Sequence, residues 1–161
     1  DEREKGLARR AVVQLSGGAG GANVALGATA DSPDDLEKDG QAGGDAAGID
    51  GNPKTYWDEV DRQPLYRYRV TLRAPAVIDA LRVTGWAHEN YAPKDFEVLC
   101  DGKVVATVRD AAYEDNRATI ALDPVKASVV ELRITGSYGA SPAIRELEIL
   151  SESAPAKEGK P

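Results

Sequence analysis

The chain has 161 residues, 42% of them hydrophobic, and a net charge of −7, which is typical of one folded domain. The acidic excess disfavours nucleic acid and anionic membrane surfaces as partners. One cysteine excludes an internal disulfide and a cysteine-cluster zinc site, and one histidine, His88, excludes an HExxH motif. No run approaches the roughly 18 apolar residues of a membrane-spanning helix, so we expect no membrane partner.

The two ends of the chain differ in composition from its middle. Residues 1–21 combine a charged run with a glycine-rich stretch, and residues 151–161 are polar with proline and lysine. We therefore predict a linker or the end of an upstream region at 1–21, a single domain at 22–150 and a disordered tail at 151–161. Because the chain begins at Asp1 and contains no methionine, we expect it to be a piece of a larger protein.

Within the predicted domain, hydrophobic residues recur with a period of two, which indicates half-buried β-strands. In residues 66–73, Tyr66, Tyr68, Val70 and Leu72 alternate with polar residues. Asp101-Gly102 is a strong signal for a two-residue hairpin turn. Short strands separated by turn residues predict an all-β antiparallel β-sandwich of the jelly-roll type. The predicted strands are 66–73, 76–85, 95–100, 103–108, 117–122, 129–135 and 145–150.

Residues 31–65 lack a strand pattern and carry ten acidic side chains. The only helix that we expect is a short turn near residues 34–38. Structureless segments of this length in a compact domain are usually functional or held by a ligand. Crowded carboxylates must be solvated or neutralised by a cation, which makes this segment a candidate for metal binding.

The motif Asp50-Gly51-Asn52-Pro53-Lys54-Thr55 lies inside this acidic segment. It places several oxygen atoms on one tight turn, and calcium takes 6–8 oxygen ligands from carboxylates, carbonyls and hydroxyls. The DxDxDG spacing of an EF-hand is absent. From the residues alone, an ordinary Asx turn is the alternative interpretation.

A second candidate site is the segment Gly85-Trp86-Ala87-His88-Glu89-Asn90-Tyr91, which joins two predicted strands. Aromatic faces stack on the C–H surfaces of sugars, and polar side chains bond their hydroxyls. Trp86 and Tyr91 supply aromatic faces, while His88, Glu89 and Asn90 supply donors and acceptors. Packing in the core or at its rim is the alternative role for these aromatic rings.

Four segments occur together in the order and spacing of a known superfamily: NVALGATA at 23–30, AGIDGNPKTYW at 47–57, YAPKDFEVLCDGK at 91–103 and PAIRELEIL at 142–150. The chain thereby resembles the discoidin, or coagulation factor V/VIII C-type, domain superfamily. It is most similar to the bacterial family 32 carbohydrate-binding modules, which are galactose-binding-like. The fold of that family is an antiparallel β-sandwich jelly roll, as the strand pattern also predicts.

This resemblance implies a structural calcium ion held beside the Asp-Gly turn. Its ligands would be side-chain oxygens of Asp50 and Glu146, carbonyls of Ala47 and Asn52, and the hydroxyl and carbonyl of Thr55. Glu146 lies at the start of the last strand, so the ion would tie the acidic segment to that strand. The alternative for Glu146 is a solvated residue on the outer face of an alternating strand.

The resemblance also implies a ligand site on the loops at one end of the sandwich. Its candidate residues are Trp86, His88, Glu89, Asn90, Tyr91 and Tyr138, and Tyr138 occupies the loop in which the family often places a stacking aromatic residue. Trp57 is expected in the core beneath the calcium turn. Cys100 continues the alternation of Phe96 and Val98, so we predict that it is buried.

The expected function is that of a non-catalytic module that targets an exported enzyme or surface protein to a glycan or polysaccharide. The expected location is extracellular or periplasmic, because that is where such relatives work. A structural or protein-interaction domain without sugar binding is the alternative, favoured by the lack of an arginine between Arg82 and Arg109. We expect no enzymatic activity. The chain has so many carboxylates that a pair suited to acid–base catalysis would occur by chance, and the family that the chain resembles is mostly non-catalytic.

Overall fold

The computed structural model describes residues 21–33, 44–86 and 90–152. Eight strands occur in these ranges, and every pairing between them is antiparallel. No helix in the described residues is long and apolar enough to cross a membrane. The elements are β1 (Ala22–Asn23), β2 (Thr29–Asp31), a 3-10 helix (Asp45–Ile49), β3 (Trp57–Asp58), β4 (Tyr66–Gly85), β5 (Pro93–Cys100), β6 (Lys103–Val108), β7 (Arg117–Ser137) and β8 (Ala143–Ser151).

The two long strands, β4 and β7, pair with each other along almost their whole length and connect the two layers of the sandwich. The first half of β4 pairs with β2 and the second half of β7 pairs with β5, which pairs with β6. The second half of β4 pairs with β8, which also pairs with β1 and β3. The expected antiparallel β-sandwich is therefore confirmed.

Prolines occupy the places where β4 and β7 change layer. The ladder between them shifts register between Thr71 and Ala76 and again between Ile78 and Ala80. Pro75 lies in the first irregularity, and Pro124 faces the second from β7. Because proline has no N–H to donate, it interrupts a ladder at low cost only at such bends. The two strands predicted at 66–73 and 76–85 are therefore one bent strand, β4, and those predicted at 117–122 and 129–135 are one bent strand, β7.

The alternation predicted from the sequence is present in the structure. Tyr66, Tyr68, Val70 and Leu72 are buried, as are the equivalent residues of β7 and β8. The predicted hairpin joins β5 and β6, and both of its turn residues have positive φ, 50° at Asp101 and 84° at Gly102. The largest fully buried apolar side chains are Trp57, Tyr68, Phe96, Ile78, Leu81, Ile120, Leu132, Ile134, Ile144, Leu147 and Ile149.

The acidic segment differs in part from its prediction. Trp57 and Asp58 form a two-residue strand opposite Ile144 and Ala143 of β8, and Asp31 ends β2, so the segment 31–65 contains strand residues although it shows no strand pattern. A pairing this short comes from tertiary packing and leaves no periodic pattern. The 3-10 helix at Asp45–Ile49 was also not expected from the sequence. The predicted helical turn at 34–38 lies outside the described residues, as do most of the predicted linker 1–21 and tail 151–161.

Candidate functional site

The segment from Asp50 to Thr55 folds into a tight turn, hereafter the Asp50–Thr55 turn, directly after the 3-10 helix. Gly51 has φ of 75°, a left-handed conformation that glycine adopts without strain. One carboxylate oxygen of Asp50 accepts the N–H of Asn52 at 2.9 Å, and the other accepts the hydroxyl of Thr55 at 2.7 Å. The Asx-type geometry that was the alternative interpretation of this motif is therefore present.

The oxygens of the Asp50–Thr55 turn converge on the hydroxyl of Thr55. This hydroxyl lies 3.2 Å from the carbonyl oxygen of Asn52 and 3.4 Å from that of Ala47, in addition to its contact with Asp50. From β8, the two carboxylate oxygens of Glu146 accept the N–H of Gly51 at 3.1 and 3.0 Å. The structure thus brings together all five residues predicted as calcium ligands, although Glu146 is 91 or more positions from the others in the chain.

Negative charge accumulates in this cluster. The pKa of Glu146 is raised to about 7, chiefly by burial and also by the charges of Asp50 and Glu148, while the hydrogen bond from the Gly51 N–H lowers it. Among the described residues no group of three or more His, Cys, Asp or Glu is arranged to hold a metal. The cluster has only two carboxylates, and its other oxygens are carbonyls and a hydroxyl, a mixed oxygen set that fits calcium rather than a transition metal.

A pocket of about 240 Å³, hereafter the aromatic pocket, begins at Tyr56, the residue that follows this turn. The ring of Trp86 packs edge-to-face against Tyr56, with centroids 5.9 Å apart, and against Tyr91 at 5.7 Å. The pocket is lined by Tyr56, Asp58, Asp61, Trp86, Tyr91, Ser141 and Ala143.

Tyr91 is held in an unusual conformation at the mouth of the aromatic pocket. Its φ is 63°, a value that few non-glycine residues adopt, and the residue is 38% exposed. Its carbonyl accepts the N–H of Ala143 at 2.6 Å, and its ring lies against the backbone of Gly139. Strained residues concentrate at ligand sites, where the surrounding structure maintains them.

Of the six residues predicted to bind a ligand, the structure describes four, and they do not all line the aromatic pocket. Trp86 and Tyr91 line the aromatic pocket, and Asn90 is exposed next to Tyr91. Tyr138 is not among the residues that line it; its hydroxyl donates to the carbonyl of Ala111 at 2.9 Å and its ring packs against Tyr113. Tyr138 as a whole residue is nevertheless 41% exposed. His88 and Glu89 lie outside the described residues.

Five residues of the aromatic pocket were missed by sequence reasoning: Tyr56, Asp58, Asp61, Ser141 and Ala143. A signal existed for Tyr56, because Trp57 was placed in the core and neighbouring residues of an extended segment face opposite ways. Trp57 is 1% exposed, as predicted, and its indole N–H donates to Glu59 at 3.0 Å. Cys100 is also buried, as predicted.

Comparison with known proteins agrees with this architecture. The family model of the F5/8 type C domain matches residues 27–147. None of the curated proteins is detectably similar in sequence. Among solved structures, the chitosan-binding module 1 derived from a chitosanase/glucanase of Paenibacillus sp. IK-5 superimposes with a TM-score of 0.68 at 16% identity, covering 80% of this chain and 98% of that one.

Two modules from Clostridium perfringens are similar to the same extent. One is CpGH89CBM32-5, solved in complex with GalNAc-β-1,3-galactose, with a TM-score of 0.69, 17% identity, and coverage of 81% of this chain and 100% of that one. The other is the family 32 carbohydrate-binding module of NanJ, solved in complex with galactose, with a TM-score of 0.66, 22% identity, and coverage of 80% and 97%. At these identities the likeness establishes the fold.

Proposed function

The chain belongs to the F5/8 type C domain family, and from this premise we propose that it is a non-catalytic carbohydrate-binding module. Its role is to hold a larger, exported protein on a glycan, in the extracellular space or the periplasm. Attachment of this kind acts by raising effective concentration rather than by chemistry. The name of the Paenibacillus module, which derives from a chitosanase/glucanase, supports a larger parent protein.

The observation that carries this proposal is the aromatic pocket. Tyr56, Trp86 and Tyr91 form three aromatic walls beside a volume of about 240 Å³, large enough for one sugar ring. The exposed part of Tyr91 gives a face for stacking, and Ser141 adds a hydroxyl at the wall. A small open site of this type binds with a dissociation constant on the order of 0.1–1 mM.

The charge of the aromatic pocket indicates a class of sugar. Asp58 and Asp61 are among the residues that line it, and no lysine or arginine is among its described lining residues. The carboxylate of Asp61 is partly exposed, 3.9 Å from the largely exposed guanidinium of Arg62. The protonated amine of an amino sugar is attracted electrostatically to such acidic residues, so glucosamine units should bind more tightly than galactose.

Calcium is the second part of the proposal. The Asp50–Thr55 turn and Glu146 would hold the ion through the oxygen atoms of Ala47, Asp50, Asn52, Thr55 and Glu146. A bound cation would neutralise the two facing carboxylates, whose repulsion contributes to the raised pKa of Glu146. The hydrogen bonds from Gly51 to Glu146 connect the acidic segment to β8. The same part of β8 pairs with β3, where Ile144 lies opposite Trp57.

The test is calorimetric and NMR titration of the protein with galactose, N-acetylgalactosamine, glucosamine and glucosamine oligomers, in calcium. Binding of at least one sugar, lost in Trp86→Ala and retained in Tyr138→Ala, supports the aromatic pocket as the site. Loss in Tyr138→Ala instead moves the site to the Tyr138 loop. Absence of heat and of chemical-shift change with every sugar contradicts the proposal and favours the structural or protein-interaction role. Asp61→Asn separates the amino-sugar preference from binding in general.

A further inference from the structure

One side chain joins the two sites described above. Arg145 lies at the start of β8, and its Nε–H donates to the carbonyl oxygen of Trp86 at 3.0 Å. A second guanidinium nitrogen, Nη1, donates to the carbonyl oxygen of Pro53, inside the Asp50–Thr55 turn. We propose that Arg145 is a positioning residue that transmits the geometry of the Asp50–Thr55 turn, and with it the presence of calcium, to Trp86 in the aromatic pocket.

The chemistry of arginine suits this role. The guanidinium is planar, always charged and has donors in a rigid fork, so two carbonyls bonded to it are held in a fixed relation. Pro53 lies between Asn52 and Thr55, two of the residues proposed to hold calcium. A change in the shape of the turn therefore displaces an acceptor of Arg145 and, through the fork, the main chain at Trp86.

Two further contacts place the same short stretch of β8 between turn and pocket. Glu146 accepts the N–H of Gly51 in the turn, and Ala143 donates its N–H to the carbonyl of Tyr91. Tyr56 follows Thr55 directly and packs against Trp86. Coupling through a protein requires such a contiguous set of packed and bonded groups, and here it extends over only four residues of one strand, 143–146.

The consequence is thermodynamic linkage between two ligands. This consequence rests on the function proposed above, that the turn binds calcium and the pocket binds a sugar. Calcium that orders the turn would, through the two hydrogen bonds of Arg145, also order the main chain at Trp86. The affinity for sugar then rises when calcium is bound, and the affinity for calcium rises by the same factor when sugar is bound. We expect a change of about fivefold to tenfold, within the usual range for coupled sites.

The experiment uses fluorine NMR of protein labelled with 5-fluorotryptophan, because the chain has two tryptophans. Trp57 is buried and reports the integrity of the core, whereas Trp86 reports the aromatic pocket. Trp86→Phe assigns the two resonances. Calcium is titrated into the wild type, Arg145→Gln and the charge-retaining Arg145→Lys, and the thermal midpoint of each protein is measured with and without calcium.

A matched control is Arg117→Gln. Arg117 lies opposite Thr84 in the sheet and, like Arg145, lines a surface groove beside Gly51 and Pro53. Its substitution therefore removes the same positive charge at a neighbouring position. The expected result is a calcium-dependent shift of the Trp86 resonance in the wild type and in Arg117→Gln. In Arg145→Gln this shift should be absent although calcium still raises the thermal midpoint, and Arg145→Lys should restore only part of it.

The coupling is then measured as the ratio of glucosamine or galactose affinities in calcium and in EGTA. A ratio of about five or more in the wild type, falling below about two in Arg145→Gln, supports the proposal. An equal Trp86 response in Arg145→Gln and the wild type overturns it, as does a ratio of one in a wild type that binds calcium.

Failure of the underlying function gives different results. If calcium changes neither the thermal midpoint nor either resonance, the calcium site is wrong and the coupling is wrong with it. If no sugar binds, but calcium shifts Trp86 only when Arg145 is present, the sugar site is wrong and the mechanical connection from turn to Trp86 stands.

Discussion

Gly139 offers the most selective way to perturb the aromatic pocket. A Cβ added at this position would lie 2.3 Å from Cδ1, 2.7 Å from Cε1 and 2.9 Å from Cγ of Tyr91. Carbon atoms in contact prefer about 3.5–4.0 Å, so the ring must withdraw by roughly 1 Å or more. Gly139 is not among the described residues with positive φ, so Gly139→Ala creates this clash without backbone strain.

The magnitude follows from the exposure of Tyr91. Overpacking a closed core costs about 1–3 kcal/mol. Tyr91 is 38% exposed, so its ring can rotate toward solvent, and we expect a loss of about 1 kcal/mol in the free energy of unfolding. Losing this wall removes one aromatic contact, worth about 0.5–1.5 kcal/mol, so sugar affinity should fall by up to about tenfold.

Urea unfolding and calorimetric titration with the tightest-binding sugar measure the two effects. Gly136→Ala is the control, because its new Cβ would lie 2.5 Å from Oδ2 of Asp95, at the flexible end of a side chain outside the aromatic pocket. The reasoning is refuted if Gly139→Ala binds sugar within twofold of the wild type, or if the control weakens binding equally.

Three more predictions concern calcium and two buried groups. Calcium at a hundred times its dissociation constant should stabilise the protein by about 2.7 kcal/mol, and thermal melts should show this gain lost in Glu146→Gln and kept in Glu148→Gln. Tyr68→Phe removes a hydroxyl that donates to the carbonyl of Asp45 at 2.5 Å, and urea unfolding should show a loss of about 1–2 kcal/mol; no measurable loss would contradict the bond. Burial, aided by the charge of Asp101, raises the pKa of the Cys100 thiol to about 11, above its value in the unfolded chain, so stability should fall as the pH rises from about 9 toward 11. At pH 8 a thiol reagent should react slowly until the chain unfolds, and fast stoichiometric reaction without denaturant would contradict this prediction.

Much of the fold was predictable because strand patterns are local. The alternation at Tyr66, Tyr68, Val70 and Leu72 specifies which side of a strand is buried, and Asp101-Gly102 specifies a hairpin through its backbone preferences. The candidate calcium residues were named through a family resemblance, which carries information on distant pairs such as Asp50 and Glu146 that periodicity does not. Their role as ligands stays a prediction.

What the amino-acid order determined by itself was the strand segments within β4 to β8, their buried faces and the acidic turn, but not the short strands β1, β2 and β3. Only the tertiary structure decided that β4 and β7 each cross between layers, that Asp58 and Asp61 join Trp86 in one pocket, and that Tyr138 packs with Tyr113 instead. The physical reason is that a period of two fixes the side on which a residue lies but not its distance from residues far along the chain. Those distances depend on the bends of two long strands and on the short pairing of β3 with β8.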